Sequence, residues 1–538
     1  MGLLAALTGP DPAFAAVVAA LAVVTLLTVR CAAAYLRLRQ FGGPRWTGVS
    51  NWPHSMAMLQ NRCHEWYEEA NEKYGPIARV APNVLVTSSP DVWAHVNTKA
   101  GYKRSAWYYN ACRIEHRRDN VFSQTDVAKH DFRRKQMAPG YSGRENLHLE
   151  SSIDERIAEF LALIRAKYAS AAPERAGVPL DLGEKVQFFT LDVISGVGLG
   201  RPFGMLASDA DIDGYLRSSE DGLRAANAAL ALGLSWLAHA PLLGRLIAPS
   251  PRDGSGFGRM MAACFRRVDA RAAEEEKEKK TNGAAIAAAG DGHSNGDSKR
   301  SDMLASFMRH GLAGDELRSE ALEQIIAGSD TTSTGIRGAL LHVVTNPRVY
   351  ARLQREVDDA VAAYGLEDAA IISLAQAKRL PYLQAVIREA LRVWPPAVNI
   401  FARDVPPGGD TVLVDGHRPV FLPGGASIGY SAYAMHHSEA IYGPDAKAFR
   451  PERWLAAAAE DPDRHALMLR TNDLVFGHGK YQCLGKPVAQ LELAKTIFEL
   501  MRNFDMTLVH PTKPWDARNT LGLFVISDMW VHVTERRQ

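Results

Sequence analysis

From residue 14 to residue 29 the chain carries no charged side chain, and Cys31 to Leu36 continue the apolar run beyond Arg30. A helix over 13–36 is long enough to cross a bilayer, which takes roughly 20 apolar residues. Asp11 precedes it, and Arg30, Arg37, Arg39 and Arg45 follow. By the positive-inside rule the rest of the chain then lies on the cytoplasmic side. A cleaved leader fits less well, because no Lys or Arg precedes the apolar run. No asparagine opens an Asn-x-Ser/Thr acceptor either, in keeping with a body that never faces a glycosylating lumen. Residues 1–40 therefore read as a membrane anchor with a basic flank. Gly42-Gly43-Pro44 is a hinge into a body that fills 41–538.

Within that body most of the hydrophobic periodicity is helical. Alternation around Pro82 over 77–89 predicts a short strand pair, and 411–414 and 419–422 flank Asp415-Gly416 as a hairpin. Leu383, Val386, Ile387, Ala390 and Leu391 form one apolar stripe between Pro381 and Pro395-Pro396, a helix with both ends marked. Residues 321–345 are helical at both flanks but hold Gly328, Ser329, Thr331, Thr332, Ser333, Thr334 and Gly335 in the middle. Such residues compete for backbone carbonyls, so a distortion is expected there. Residues 273–300 pass from a charge run into Gly-Asp-Gly-His-Ser-Asn-Gly-Asp. They cannot bury enough surface to offset ordering entropy, and they read as a solvated low-complexity loop.

Composition narrows the chemistry. The chain is 47% hydrophobic and nearly neutral, with 62 basic and 60 acidic residues. It has the core of a large enzyme domain and no basic excess for nucleic acid. Its cysteines, at 31, 63, 112, 264 and 483, show neither CxxC spacing nor an even count. Free thiols in a reducing compartment fit them better than disulfides.

One cysteine stands in a special place. Residues 476–485 read Phe-Gly-His-Gly-Lys-Tyr-Gln-Cys-Leu-Gly, and after Pro487 an apolar repeat from Val488 to Met501 predicts a helix. Cys483 thus sits just ahead of a helix N-terminus, where unpaired N–H groups favour a thiolate. Gly477, Gly479 and Gly485 let the backbone approach a flat, bulky object, and Phe476 would pack against it. A cysteinate on a glycine-rich bulge suits a porphyrin iron.

These ten residues resemble the haem-binding loop of the cytochromes P-450, closest to the membrane-bound fungal type that includes pisatin demethylase-like enzymes of secondary metabolism. The likeness runs over nearly the whole body. It implies a mainly α cytochrome P-450 fold, a large helical domain with a long central oxygen-activating helix plus a small β-rich domain. It makes Cys483 the iron ligand of haem b (iron protoporphyrin IX). Residues 327–332, Ala-Gly-Ser-Asp-Thr-Thr, look like the family's oxygen-handling motif. By that likeness Thr331 bonds dioxygen and Asp330 relays protons from solvent. Glu389-x-x-Arg392 and Arg453, in Phe449-Arg-Pro-Glu-Arg-Trp454, match a buried structural triad. Arg403 and Arg134 match arginines that hold haem propionates, with His130 where the family has tryptophan. Tyr481 departs from the usual Arg or His, and its phenol is expected to bond a propionate without bringing charge. Arg133 and Lys135 read as a solvated basic face that meets a reductase.

The activity implied is a monooxygenase acting on an apolar terpenoid, polyketide or aromatic metabolite. Electrons come from NADPH through the flavin of a separate NADPH-cytochrome P-450 reductase, and the protein is a monomer anchored in the endoplasmic reticulum membrane. Segments 105–128, 205–250, 325–331, 398–402 and 521–525 are expected around the substrate, with Ile325, Ala327, Ile400, Phe401 and Phe524 lining an apolar pocket. Two other functions share the motifs: a reductase-independent isomerase or dehydratase, which usually lacks the Asp-Thr pair, and a haem sensor or carrier.

Overall fold

The computed structural model describes residues 12–170, 177–240, 242–289, 302–367 and 369–536. Helix α1 (Pro12–Arg37) is the apolar run of the N-terminus, with a mean hydropathy of 2.3 in its best window and no part of that window buried. Its last turns meet the body. Arg79 donates to the Ala34 carbonyl at 2.7 Å, and Arg37 donates to Asn83 Oδ1 at 3.1 Å.

The expected strand pair is β1 (Ile77–Ala81) with β2 (Val84–Thr87). It belongs to a five-stranded sheet completed by β3 (Lys103–Arg104), β4 (Arg403–Asp404) and, beyond a hairpin, β7 (Ser427–Tyr430), in the order β1-β2-β7-β4-β3. The hairpin, β5 (Asp410–Val414) and β6 (Arg418–Leu422), turns at Asp415 and Gly416, whose φ values are +54° and +73°. That pair of left-handed residues is what an Asp-Gly hairpin turn requires. Near the C-terminus β8 (Phe504–Leu508) pairs with β11 (Trp530–Glu535), and β9 (Asp516–Thr520) with β10 (Leu523–Ser527).

Helices make up the larger layer. The ones that build the site are α2 (Val127–Tyr141), α3 (Leu182–Leu199), α4 (Tyr215–Ala231), α5 (Gly256–Ala289), α6 (Gly314–Val344), α7 (Pro381–Val393) and α8 (Lys486–Asn503). Helix α6 runs through the centre and packs against α3, α5, α7 and α8. It stays helical through the Ser/Thr patch where a distortion was expected. There the hydroxyls of Thr331 and Thr334 donate to the carbonyls four residues back, of Ala327 and Asp330, at 2.7 and 2.8 Å. They share these acceptors with the backbone ladder, which stays continuous. Packing also fixes the patch: a Cβ on Gly328 would come within 2.7 Å of the Ile194 side chain on α3.

The loop expected over 273–300 is corrected in part. Helix α5 continues to Ala289, because the Ala, Glu and Lys of this stretch are among the best helix formers. Residues 290–300 lie outside the described residues.

Candidate active site

Helix α8 opens at Lys486, and Cys483 lies on the turn before it. The Cys483 N–H donates to the Phe476 carbonyl at 2.7 Å, which closes the loop. Gly479 has φ +61°, and a Cβ there would meet the Asn97 carbonyl at 2.8 Å, so this position needs glycine. The sulfur is deep among protein atoms yet opens on a cleft of about 780 Å³, lined also by Ala327, Thr331, Thr332 and Gly335 of α6. Burial pushes the Cys483 thiol up, while the N–H groups of Gly485 and Lys486 and the charge of Arg134 oppose it. Those donors serve an anionic sulfur better than a thiol. Among the described residues no group of three or more His, Cys, Asp or Glu is placed to hold a bare metal ion. A single thiolate facing the cleft suits a metal that brings its other ligands, as a porphyrin iron does.

Cationic side chains gather at one edge of the cleft. Arg403 is buried, donating from Nε to Asn97 Oδ1 at 3.1 Å and from Nη1 to the Tyr109 hydroxyl at 2.6 Å. Arg104 is buried as well and donates to the Val121 carbonyl at 2.6 Å. Both guanidiniums lie over the ring of Tyr481. His130, 1% exposed, is 5.0 Å from the same ring between centroids. Its Nδ1 is hydrogen-bonded to Asp131 at 2.8 Å, and Nε2 has no partner among the described residues. Burial, then the charge of Arg104, pushes His130 down to about 4, so the ring is neutral at pH 7. Arg134 also lines the cleft. An unpartnered ring nitrogen and three arginines form a cradle for the carboxylates of a flat cofactor, and to that extent the residues fit haem.

Asp330 and Thr331 are neighbours in sequence that face different spaces. Thr331 lines the cleft. Asp330 lines a second cavity, about 290 Å³, with Gln187, Ser219, Glu220 and Arg337, and with the exposed Arg217 and Ser527 among its walls. Gln187 Nε2 donates to Asp330 Oδ1, and Ser219 Oγ donates to Oδ2 at 3.4 Å. Burial pushes the carboxyl up to about 6 against these bonds. Such a group exchanges protons near neutral pH.

The expected triad is present. Glu389 receives Arg392 Nη2 at 2.7 Å, Arg453 Nε at 2.8 Å and Trp454 Nε1 at 3.0 Å. Arg392 also donates to the His436, Ala446 and Ala448 carbonyls, so α7 is tied to the segment that leads to the cysteine loop. Lys135 is exposed as expected, but Arg133 is not a solvated cation. It pairs with Glu316 at 2.9 Å and with the buried Glu320 at 2.8 Å, joining α2 to α6.

Of the expected pocket residues, Ala327 and Phe401 line the cleft. Ile325 and Ile400 are core, because each points into packed protein from an element whose other face meets the cleft. Phe524 packs 4.6 Å from Trp394 and borders the second cavity. Segments 105–128 and 205–250 do contribute, through Tyr108, Phe122, Leu223 and Leu237 among others, and Leu521 and Leu523 come from the β9–β10 tip. The lining is less uniformly apolar than expected, since Glu320 and Glu323 reach it from α6. Sequence reasoning passed over these two, Arg104 and Gln187. The available signal was the phase of α6: Glu323 is four and eight residues from Ala327 and Thr331, hence on their face.

Comparison with known proteins agrees with this geometry. The family model for cytochrome P450 matches residues 42–529. The chain is 35% identical over 533 residues to cytochrome P450 monooxygenase ABA1 of Pyricularia oryzae, covering 96% of each chain. It is 34% identical over 469 residues to cytochrome P450 monooxygenase aba1 of Botryotinia fuckeliana, covering 87% of this chain and 86% of the relative. It is 30% identical over 499 residues to cytochrome P450 monooxygenase abl1 of Leptosphaeria maculans, covering 91% and 82%. A cysteine loop ahead of α8, a helical body with a small sheet-rich part and matches over nearly the full length agree: the chain belongs to the cytochrome P450 family, and it is a monooxygenase.

Proposed function

We propose that the protein inserts one oxygen atom from O₂ into a largely apolar small molecule. Cys483 would ligate haem b, and electrons would arrive from NADPH through a separate flavoprotein reductase. Bound in the cleft, the haem supplies the oxygen-activating chemistry. Arg104, Arg134, Arg403 and His130 would hold its propionates, with Phe476, Gly477 and Gly485 packed beneath it and Tyr481 between the cations.

The observation that carries the reading is the split between Thr331 and Asp330. Monooxygenation needs protons at the buried reaction centre without open access for water. Thr331 is on the cleft side, and Asp330 is on a separate polar cavity that reaches exposed residues. Asp330 would take up a proton from that side, and the Thr331 hydroxyl, now turned to the Ala327 carbonyl, would serve the reaction centre from the cleft side. An isomerase or dehydratase of this family would have no use for such an arrangement, nor would a haem carrier.

Residues 1–40 would anchor the enzyme, with 41–538 on the cytoplasmic face of the endoplasmic reticulum membrane. Helix α1 supports this, as do the exposed Leu232, Trp236, Leu242 and Leu246. The test is the membrane-bound protein with a fungal reductase. Reduced carbonyl-bound protein should absorb near 450 nm, as thiolate-ligated haem does, and turnover should need both NADPH and reductase. Absence of the band in wild type, or its survival in Cys483→Ala, would refute the reading.

A further inference from the structure

Two glutamates one turn apart on α6 reach the cleft, and they are bonded differently. Glu320 is fully buried, and both its oxygens are satisfied, by Arg133 at 2.8 Å and by the Val121 N–H at 3.0 Å. Glu323 accepts one bond, from Asn120 Nδ2 to Oε2 at 2.9 Å. Asn120 is itself fixed, because its Oδ1 accepts from the N–H groups of Phe122 and Ser123 at 3.0 and 2.8 Å. The other oxygen of Glu323 has no partner among the described residues and opens on the cleft. Glu320, Arg104 and Cys112 stand near it, and the cleft that it faces is lined also by Tyr108, Phe122 and Phe401. A positioned carboxyl oxygen in such a setting is costly unless something bonds it.

We propose that Glu323 is a specificity-determining residue whose free oxygen bonds a hydroxyl on an otherwise apolar substrate, at the end of the cleft away from Thr331. Resting on the monooxygenase reading above, this narrows its substrate class to alcohols. Eight residues of helix separate Glu323 from Thr331, about 12 Å along the axis, so the hydroxyl is held two turns of helix from Thr331. An ammonium group is disfavoured by Arg104, whose positive charge also acts on this carboxyl. Burial, with Glu320 nearby, pushes Glu323 up to about 7, which suits a neutral partner able both to donate and to accept.

The test is spectral titration of the haem-loaded, membrane-anchored enzyme with three probes on one skeleton: farnesol, farnesyl methyl ether and farnesene. Wild type should bind farnesol about tenfold more tightly than the other two, the size of one added hydrogen bond. Glu323→Leu should level the three affinities, and Glu323→Gln should restore the preference for farnesol. An infrared difference spectrum gives a second readout. The carboxyl band that Glu323→Gln removes should shift with farnesol and stay in place with farnesene. Wild type that binds the probes equally, or binds none, would overturn the proposal, as would a preference that survives in Glu323→Leu. If Glu323→Leu fails to fold, an unmoved carboxyl band decides against it. The 450 nm band of the same samples separates the two readings, because its loss sinks the monooxygenase and its presence without farnesol preference sinks the Glu323 assignment alone.

Discussion

Arg104 and Arg403 oppose each other directly in the antiparallel pair β3–β4, and their guanidiniums lie 4.7 and 4.3 Å from the centroid of the Tyr481 ring. Two like charges at one register position repel, and the electron-rich ring offsets that by about 2 kcal/mol per cation when desolvated. The ring, more than the hydroxyl, is therefore what position 481 contributes. Tyr481→Phe should keep wild-type haem content, whereas Tyr481→Leu should lose most of it, read as the 450 nm carbonyl difference band per mass of protein. Full haem content in Tyr481→Leu would show that the ring is dispensable.

Glu389 is the shared acceptor of Arg392, Arg453 and Trp454, and all four side chains are buried. Glu389→Gln keeps the shape but leaves two buried guanidiniums facing a neutral group. Breaking one partner of a buried ion pair costs about 3–5 kcal/mol, a large part of the stability of an ordinary domain. The expected outcome is low soluble yield and a depressed melting temperature, with whatever haem-loaded protein remains turning over normally. A stable variant with a selective kinetic defect would mean that the triad acts in chemistry.

How much of this was legible beforehand follows the range of the contacts. The cysteine loop, the Asp330-Thr331 pair and Glu389-x-x-Arg392 are local spacings, and their positions in the fold follow from a helix start or a helix face. The cleft edge is different. Arg104 is on a two-residue strand without a motif, and only its pairing with β4, almost three hundred residues away, brings it to Tyr481. Glu320 and Glu323 carry the i,i+3 pattern of an ordinary solvated face, because periodicity does not say which neighbour covers a polar stripe. Asp330 and Thr331 were recognised as a pair, yet their divergence into two cavities depends on Gln187 of α3 and Ser219 of α4.

That divergence gives separable consequences for two adjacent residues. Asp330→Asn removes the group on the second cavity that takes up protons, so substrate oxidation should slow by roughly 100-fold, in the range of lost general acid–base catalysis. The slow step should then show a larger solvent deuterium effect. Thr331→Ala leaves that uptake intact but removes the hydroxyl in the cleft. It should bind haem and substrate normally while diverting NADPH into hydrogen peroxide. Peroxide yield per NADPH and product per NADPH, measured together, check both. Unchanged coupling in Thr331→Ala would remove its hydroxyl from the pathway.

Glu320 and Glu323 also leave a mark on stability. Burial pushes both carboxyls up to about 7, from an ordinary value of 4.5. Between these values the folded chain holds protons that the unfolded chain has released, so stability falls as pH rises. Their contribution is complete below about 4.5 and lost as pH passes through about 7. Other groups titrate in the same span, and buried His130 and His342, both pushed down to about 4, act in the opposite sense. The difference between wild type and Glu323→Gln isolates one carboxyl, because Asn120, Glu320, Arg104 and Cys112 around it are unchanged. Melting temperatures of haem-loaded protein, at constant salt from pH 5 to pH 8, should show wild type losing on the order of 1–3 °C relative to the variant. A difference that is flat across this range would mean that Glu323 is ionised throughout, with its free oxygen in contact with water instead of sheltered in the cleft.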